Sequence, residues 1–269
     1  MQEMDVITRN FFRLLRSGAW NEDEALEPMS HFKWNRLEQM VRAQRVGSII
    51  KAGLKRIGEN VWVNIPEEFL ADVNEGIANS NSNSRLQLSN TFLNVRFDHI
   101  KNEEIHAIDT NVGSLDVLKI IVGTVSTMLN QGIMIKGMLE LGRYLRLQGD
   151  HVDFVKLDKW LSKLHLVRMA QLQGSMLVAV FNFETDELPF VHHLEPSAYN
   201  LVLRSVNHTA SDTAEEWHFR QSRSGFVTNN SQLLRRNLRR SLRYLPYAPI
   251  ETVSNYINNF ARSLQEIEE

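Results

Sequence analysis

A chain of 269 residues with 43% hydrophobic and 23% charged residues is long enough to bury a substantial core and has the composition of a soluble globular protein. Its net charge of −2 argues against a whole-molecule attraction to nucleic acid or to acidic membranes. Cysteine is absent, which excludes disulfides, thiolate metal ligands, iron–sulfur clusters and a cysteine nucleophile, and fits the cytoplasm. The first twenty residues carry acids and no continuous apolar core, so they do not read as a secretory signal. The longest apolar runs, such as Met176–Phe181, fall far short of the roughly 20 residues a membrane helix needs. A soluble, cytoplasmic protein is expected.

In chain order, Val6, Phe11, Leu14 and Leu15 predict a first helix ending near Gly18. The acidic link NEDEALEP (21–28) follows. Trp34, Leu37, Met40 and Val41 predict a second helix, and Ile49, Ile50 and Leu54 a third that closes at Gly58. Val61-Trp62-Val63 reads as a short extended piece. Pro66 suits the first position of a further helix, with Glu67 and Glu68 at the positive end of its dipole and Phe69, Leu70, Val73 and Ile77 along it. The Asn/Ser run 79–84 is a polar break, with a functional loop as the alternative. Helicity resumes through Leu86, Leu88, Phe92, Val95 and Ile105. In 117–129, β-branched residues leave helix and strand hard to separate; the helical segments on both sides decide for helix.

The stretch 133–190 is the most legible. Met134, Met138, Leu141 and Leu145 recur at helical spacing until Gly149-Asp150. Asp153 is placed to cap the next helix, with Val152 and Leu157 as its hydrophobic staple and Phe154, Leu157, Leu161 and Leu164 as its buried stripe. From Val167 to Phe181 apolar residues nearly encircle the helix, as in a central, buried one. Tyr199–Val206 and Thr213–Arg220 read as short helices. Leu233–Leu245 is helical up to Pro246, and Pro249 starts a last amphipathic helix through Val253, Tyr256, Ile257, Phe260 and Leu264. No linker divides the chain, so one all-α, multi-helix domain over 1–269 is expected.

Several segments carry a resemblance. RNFFRLLRSGAW, FKWNRLEQMVRAQRVGSIIKAGL and IPEEF are similar to the N-terminal helical part of a large bacterial family of nucleotidyltransferases common in Bacteroidetes. Gly132–Phe190 resembles the helical region after that family's catalytic core, and RRNLRRSLRYLPYAPIETVSNYINNFARSLQEIEE resembles its C-terminal end. The resemblance spans about two-thirds of the chain. It implies a Gly-Ser turn for phosphate and, shortly after it, two carboxylates on one strand for the metal. Here Gly113-Ser114 is followed by one acid, Asp116. Asp150 and Asp153 are three apart rather than two and fit a helix start better than a metal clamp. The expectation is a relative that keeps the helical shell and lacks the core.

Other constellations are weighed in the same way. Glu103/His106 and Glu215/His218 are Glu-x-x-His pairs, the half-signature of a di-iron bundle, with His99 and Glu140 as further ligands to recruit. Chance alone supplies roughly 0.7 such pairs in this composition, so solvated helix faces are preferred and no metal or cofactor is expected. His192-His193 reads as a surface loop. Arg220, Arg223, Arg235, Arg236, Arg239, Arg240 and Arg243 fall in a stretch without a single acid. On a helix from about Asn230, Arg236, Arg239, Arg240 and Arg243 share one side, and Leu234, Leu238, Leu242 and Leu245 another. A solvated basic face is the plain reading of these arginines, and weak anion or partner binding the functional one. No aromatic residues interleave for base stacking.

The expectation for function is a non-catalytic helical interaction protein with an unknown protein partner, no membrane and no cofactor. The alternatives are an active nucleotidyltransferase with a degenerate site around Asp150 and Asp153, and a nucleic-acid binder using the arginine face.

Overall fold

The computed structural model describes residues 4–57, 64–70, 86–106, 112–207 and 230–268. Among these residues the chain is all-α, without a strand. The contacts fall into two units: residues 1–83 with 199–222, and residues 84–198 with 223–269.

In the first unit, helix α1 (Val6–Trp20) starts at Asp5, whose carboxylate accepts the Thr8 amide at 2.7 Å. It buries Phe11, Phe12, Leu14 and Leu15. Gly18 does not end it. The helix runs on to Asn21, which takes the left-handed conformation (φ 61°) and donates its N–H to the Ser17 carbonyl at 3.1 Å. Gly18 is instead where α3 (Gly47–Ile57) crosses, its partner on that helix being Gly53. A Cβ on Gly18 would stand 2.8 Å from the Gly53 nitrogen and nearer still to the Ile49 carbonyl. Between them, α2 (His31–Gln44) buries Trp34, Leu37, Met40 and Val41, with Trp34 against Phe69 at 5.2 Å between ring centroids. Residues 67–70 are helical, as Pro66 predicts, and so are 199–207. The expected ends or elements at Gly58, 61–63, Val73, Ile77, 79–84 and 213–220 lie outside the described residues.

The acidic link 21–28 is held along α1 rather than looping free. Buried Asn10 exchanges hydrogen bonds with the Glu27 backbone at 2.8 and 3.0 Å. Arg9 and Arg13 clasp the Glu27 carboxylate at 2.8 and 2.9 Å, and Arg16 meets Glu24 at 2.5 Å. The Arg9 hydrogen bond, helped by both guanidinium charges, holds the Glu27 carboxyl down at about 2. A depressed carboxyl contributes its stabilisation in full above its ordinary value of 4.5 and loses it as the pH falls from there towards about 2. An NMR titration should therefore show the Glu27 carboxyl still ionised at pH 3, and Arg9→Ala should move its midpoint up towards 4.5. A wild-type midpoint near 4.5 would contradict the clasp.

In the second unit, every residue from Met169 to Leu177 of α8 (Val167–Phe181) is buried. Several of the polar groups this buries are bonded, although the Gln173 side-chain oxygen has no partner. Ser175 donates to the Gln171 carbonyl at 2.7 Å and accepts the Glu195 amide at 2.9 Å, while the Gln173 amide donates to the Ile121 carbonyl at 3.2 Å. The same unit holds α4 (Thr91–Ile105), α5 (Val112–Asn130), α6 (Ile135–Gln148) and α7 (Phe154–Lys163), with α5 packed against each of the others and against α8. The ambiguous segment 117–129 is helix, buried at Ile121, Val122, Val125 and Met128. Helix α4 begins later than its apolar residues suggest. Leu86 and Leu88 precede it, and Asn90 caps Thr91 onward by accepting the Leu93 amide at 3.0 Å. Its buried side is Leu93, Phe97, Ile100 and Glu104, whereas Phe92, Val95 and Ile105 are exposed. Glu104 is bonded to Lys156 of α7 at 2.5 Å. Asp153 caps α7 as predicted, accepting the Lys156 amide at 2.9 Å. The chain ends in a hairpin of α9 (Asn230–Tyr244) and α10 (Pro249–Glu268).

Candidate functional site

The residues that would correspond to a nucleotide site do separate structural work. Gly113 and Ser114 sit in the first turn of α5, not on a strand–helix junction. A Cβ on Gly113 would come within 2.6 Å of the His151 carbonyl, so glycine lets α5 touch the α6–α7 connection. Ser114 is fully buried; its hydroxyl accepts the Asp153 amide at 2.8 Å and donates to the Asp153 carbonyl at 3.2 Å. Asp116 pairs with Lys119 at 3.0 Å and accepts the Tyr144 hydroxyl at 3.5 Å. Burial, with the Asp116 charge behind it, pushes the Tyr144 phenol up. Asp150 is exposed in the 3-10 turn Gly149–His151.

The histidines behave similarly. His99 pairs with Glu103 at 3.1 Å on the exposed side of α4, while Glu104 is taken by Lys156. Glu215 and His218 lie outside the described residues. His192 has a carboxylate partner that sequence spacing could not show, Asp158, 34 positions away and at 3.1 Å. Among the described residues, no three His, Cys, Asp or Glu side chains are gathered as a metal ion would need.

The arginine stretch divides. Arg220 and Arg223 lie outside the described residues, and Arg235 and Arg236 are on α9 ahead of its first described side chains. Arg239 and Arg243 are exposed. Arg240 is half-buried and donates to the Asn130 carbonyl at the C-terminus of α5, where the helix dipole favours a cation. The four arginines expected on one side are thus not equivalent. Tyr244 is buried beside them; burial pushes its phenol up, and the Arg243 and Arg240 charges oppose that rise.

An amphipathic helix ordinarily turns its leucines inward. Among its described side chains, the hairpin does the reverse. Leu238 and Leu242 of α9 are 42% and 59% exposed, and Val253 and Ile257 of α10 are 48% and 57% exposed. Among its described side chains, what α10 buries is polar: Glu251, Thr252 and Asn255. Glu251, Ser254, Asn255 and Asn258 recur at helical spacing and form a hydrogen-bonded seam with the start of α4. The Glu251 carboxylate accepts the Ser89 amide and, at 3.0 Å, the Asn90 amide. Asn90 donates to Ser254 at 2.8 Å, Ser89 to Asn255 at 3.0 Å, and Asn258 to the Ser89 carbonyl at 2.9 Å. Asn259 adds a bond to the Asn130 side chain at 3.1 Å.

These exposed, outward apolar residues mark this hairpin as the candidate functional surface. The sequence carries a signal for it that apolar periodicity alone misses, namely an equally regular polar stripe on α10. No protein family, characterised protein or solved structure matches the chain. No helix of the described residues is long and apolar enough to cross a membrane.

Proposed function

We propose that this chain is a non-catalytic interaction protein, a bacterial, cytoplasmic relative of the helical shell of the nucleotidyltransferase family it resembles. In this reading the second unit is a rigid support and the α9–α10 hairpin is its working surface. The observation that carries the reading is the orientation of the hairpin: polar residues bonded inward and Leu238, Leu242, Val253 and Ile257 turned out. Exposed apolar side chains of this size are unfavourable in water at about 25 cal/mol per Å². A polar anchoring seam that holds them outward makes sense if a partner covers them. Of the carboxylates open to the competing catalytic reading, Asp153 is committed to a helix cap and Asp116 to Lys119 and Tyr144, which leaves Asp150, exposed in its turn, without a second carboxylate to share a metal.

The test is an assay of nucleotide transfer by the full chain, with each labelled nucleoside triphosphate, Mg²⁺ or Mn²⁺, and acceptors including the protein itself. No transfer and no pyrophosphate release are expected. Asp153→Asn is the informative variant, because asparagine keeps the cap and removes the charge. Asp153→Ala would also cost about 1 kcal/mol of stability through the lost cap. Transfer by the wild type that disappears in Asp150→Asn or Asp153→Asn would overturn the proposal in favour of a degenerate nucleotidyltransferase.

A further inference from the structure

Resting on that reading, we infer that the occupant of the hairpin surface is an acidic amphipathic helix of another protein, its apolar side on Leu238, Leu242, Val253 and Ile257 and its carboxylates on Arg239 and Arg243. Leu238 and Leu242 are one helical turn apart on α9, and Val253 and Ile257 one turn apart on α10. Two such rows are the ridges into which the i, i+4 side chains of a third helix fit. Of the six side chains named, four supply apolar area and two supply charge.

The charge decides between occupants. The described side chains from Asn237 to Ala261 include one acid, Glu251, and it is buried in the seam. Arg239 and Arg243 are exposed, so these described side chains present positive charge beside the apolar residues. A second copy paired by a two-fold axis through α9 would bring arginine towards arginine. On α10 the outward Val253 and Ile257 are bordered by Ser254 and Asn258, and residues 244–261 contain no Lys or Arg, so an anionic lipid surface would meet no cation beside them on that helix. Interfacial helices instead carry cations along their polar sides. A partner helix with carboxylates along one edge matches the arrangement, and the hairpin is already fixed by its seam, so binding orders little of this protein.

The test uses synthetic helical peptides of roughly 20 residues, about 30 Å when helical. One carries leucines at i, i+4 and i+7 bordered by glutamates, a second has lysine for each glutamate, and a third keeps the glutamates with serine for each leucine. Binding to the full chain is followed by fluorescence anisotropy at low salt. The Glu/Leu peptide is expected to bind at least about tenfold tighter than either control, and Arg239→Glu with Arg243→Glu is expected to reverse the preference towards the Lys/Leu peptide. Leu242→Ser with Ile257→Ser should weaken binding by about tenfold with the thermal melt unchanged, because both positions are exposed. Equal binding of the Glu/Leu and Lys/Leu peptides would overturn the acidic partner while leaving an interaction surface in place. A dimer in sedimentation that Ile257→Ser dissociates would assign the surface to a second copy. Tighter binding to phosphatidylserine–phosphatidylcholine vesicles than to any peptide, lost in Leu242→Ser, would assign it to lipid. Absence of all binding would overturn the inference. None of these results bears on nucleotide transfer, whose assay separately tests the non-catalytic reading.

Discussion

Gly18→Ala should lower the stability of the first unit by about 3 kcal/mol, against the usual sign for glycine-to-alanine changes inside a helix. On helix propensity alone, alanine at Gly18 would gain up to about 1 kcal/mol. The added methyl, however, meets backbone rather than a side chain that could rotate away: the Ile49 carbonyl and, at 2.8 Å, the Gly53 nitrogen. Relief requires α1 and α3 to separate along their whole crossing, which loosens the packing of the buried Leu14, Leu15 and Ile50. Gly53→Ala should behave alike, since its Cβ would meet the Leu14 carbonyl. Gly149→Ala is the internal control, because nothing lies within 4 Å of its added carbon. Hydrogen exchange of the α1 amides checks the prediction. If Gly18→Ala exchanges as slowly as Gly149→Ala, the close crossing is refuted.

Glu251→Ala should cost about 3 kcal/mol, because hydrogen bonds to a charged group are worth about 1.5–3 kcal/mol each and two amides lose their acceptor together. Glu251 is 1% exposed, so water does not replace it readily. Its position is doubly favourable. It lies in the first turn of α10 and accepts the Ser89 and Asn90 amides just ahead of α4, placing one negative charge between the positive ends of two helices. Glu251→Gln, which keeps an acceptor and loses the charge, should cost about half as much. Faster exchange of the Ser89 and Asn90 amides in the alanine variant, with the α8 amides still protected, would locate the loss at the seam. An alanine variant with wild-type exchange at both amides would show that the carboxylate is not the anchor.

Much of the fold is legible in the residues because local signals agree with the tertiary outcome. Asp153 at a cap, Pro249 at a helix start and the all-round apolar segment Val167–Phe181 each carry their physical reason within a few positions. Gly18 is harder to read. Glycine at a helix end and glycine at a helix crossing give the same letter, and only the position of Gly53, 35 residues on, distinguishes them. The link 21–28 looks like a plain acidic connection until Asn10, Arg9, Arg13 and Arg16 are placed beside it. For the hairpin, periodicity shows that α9 and α10 are two-sided but not which side faces in. That choice was made by Ser89, Asn90 and Asn130, which offer hydrogen-bonding groups and little apolar surface. Likewise, seven arginines without an acid suggest one basic surface, and the Asn130 carbonyl removes Arg240 from it.

The seam between α10 and the start of α4 has a thermal consequence. Exposing apolar surface raises the heat capacity of unfolding and exposing polar surface lowers it, by about 0.45 and 0.26 cal/K/mol per Å² respectively. The core around α8 is therefore held by a force that weakens on cooling, whereas Glu251, Ser254, Asn255 and Asn258 attach α10 through groups with the opposite dependence. Cooled towards freezing, the apolar interior should lose part of its margin while the seam keeps its own. The hairpin would then be among the last parts of the second unit to loosen in the cold.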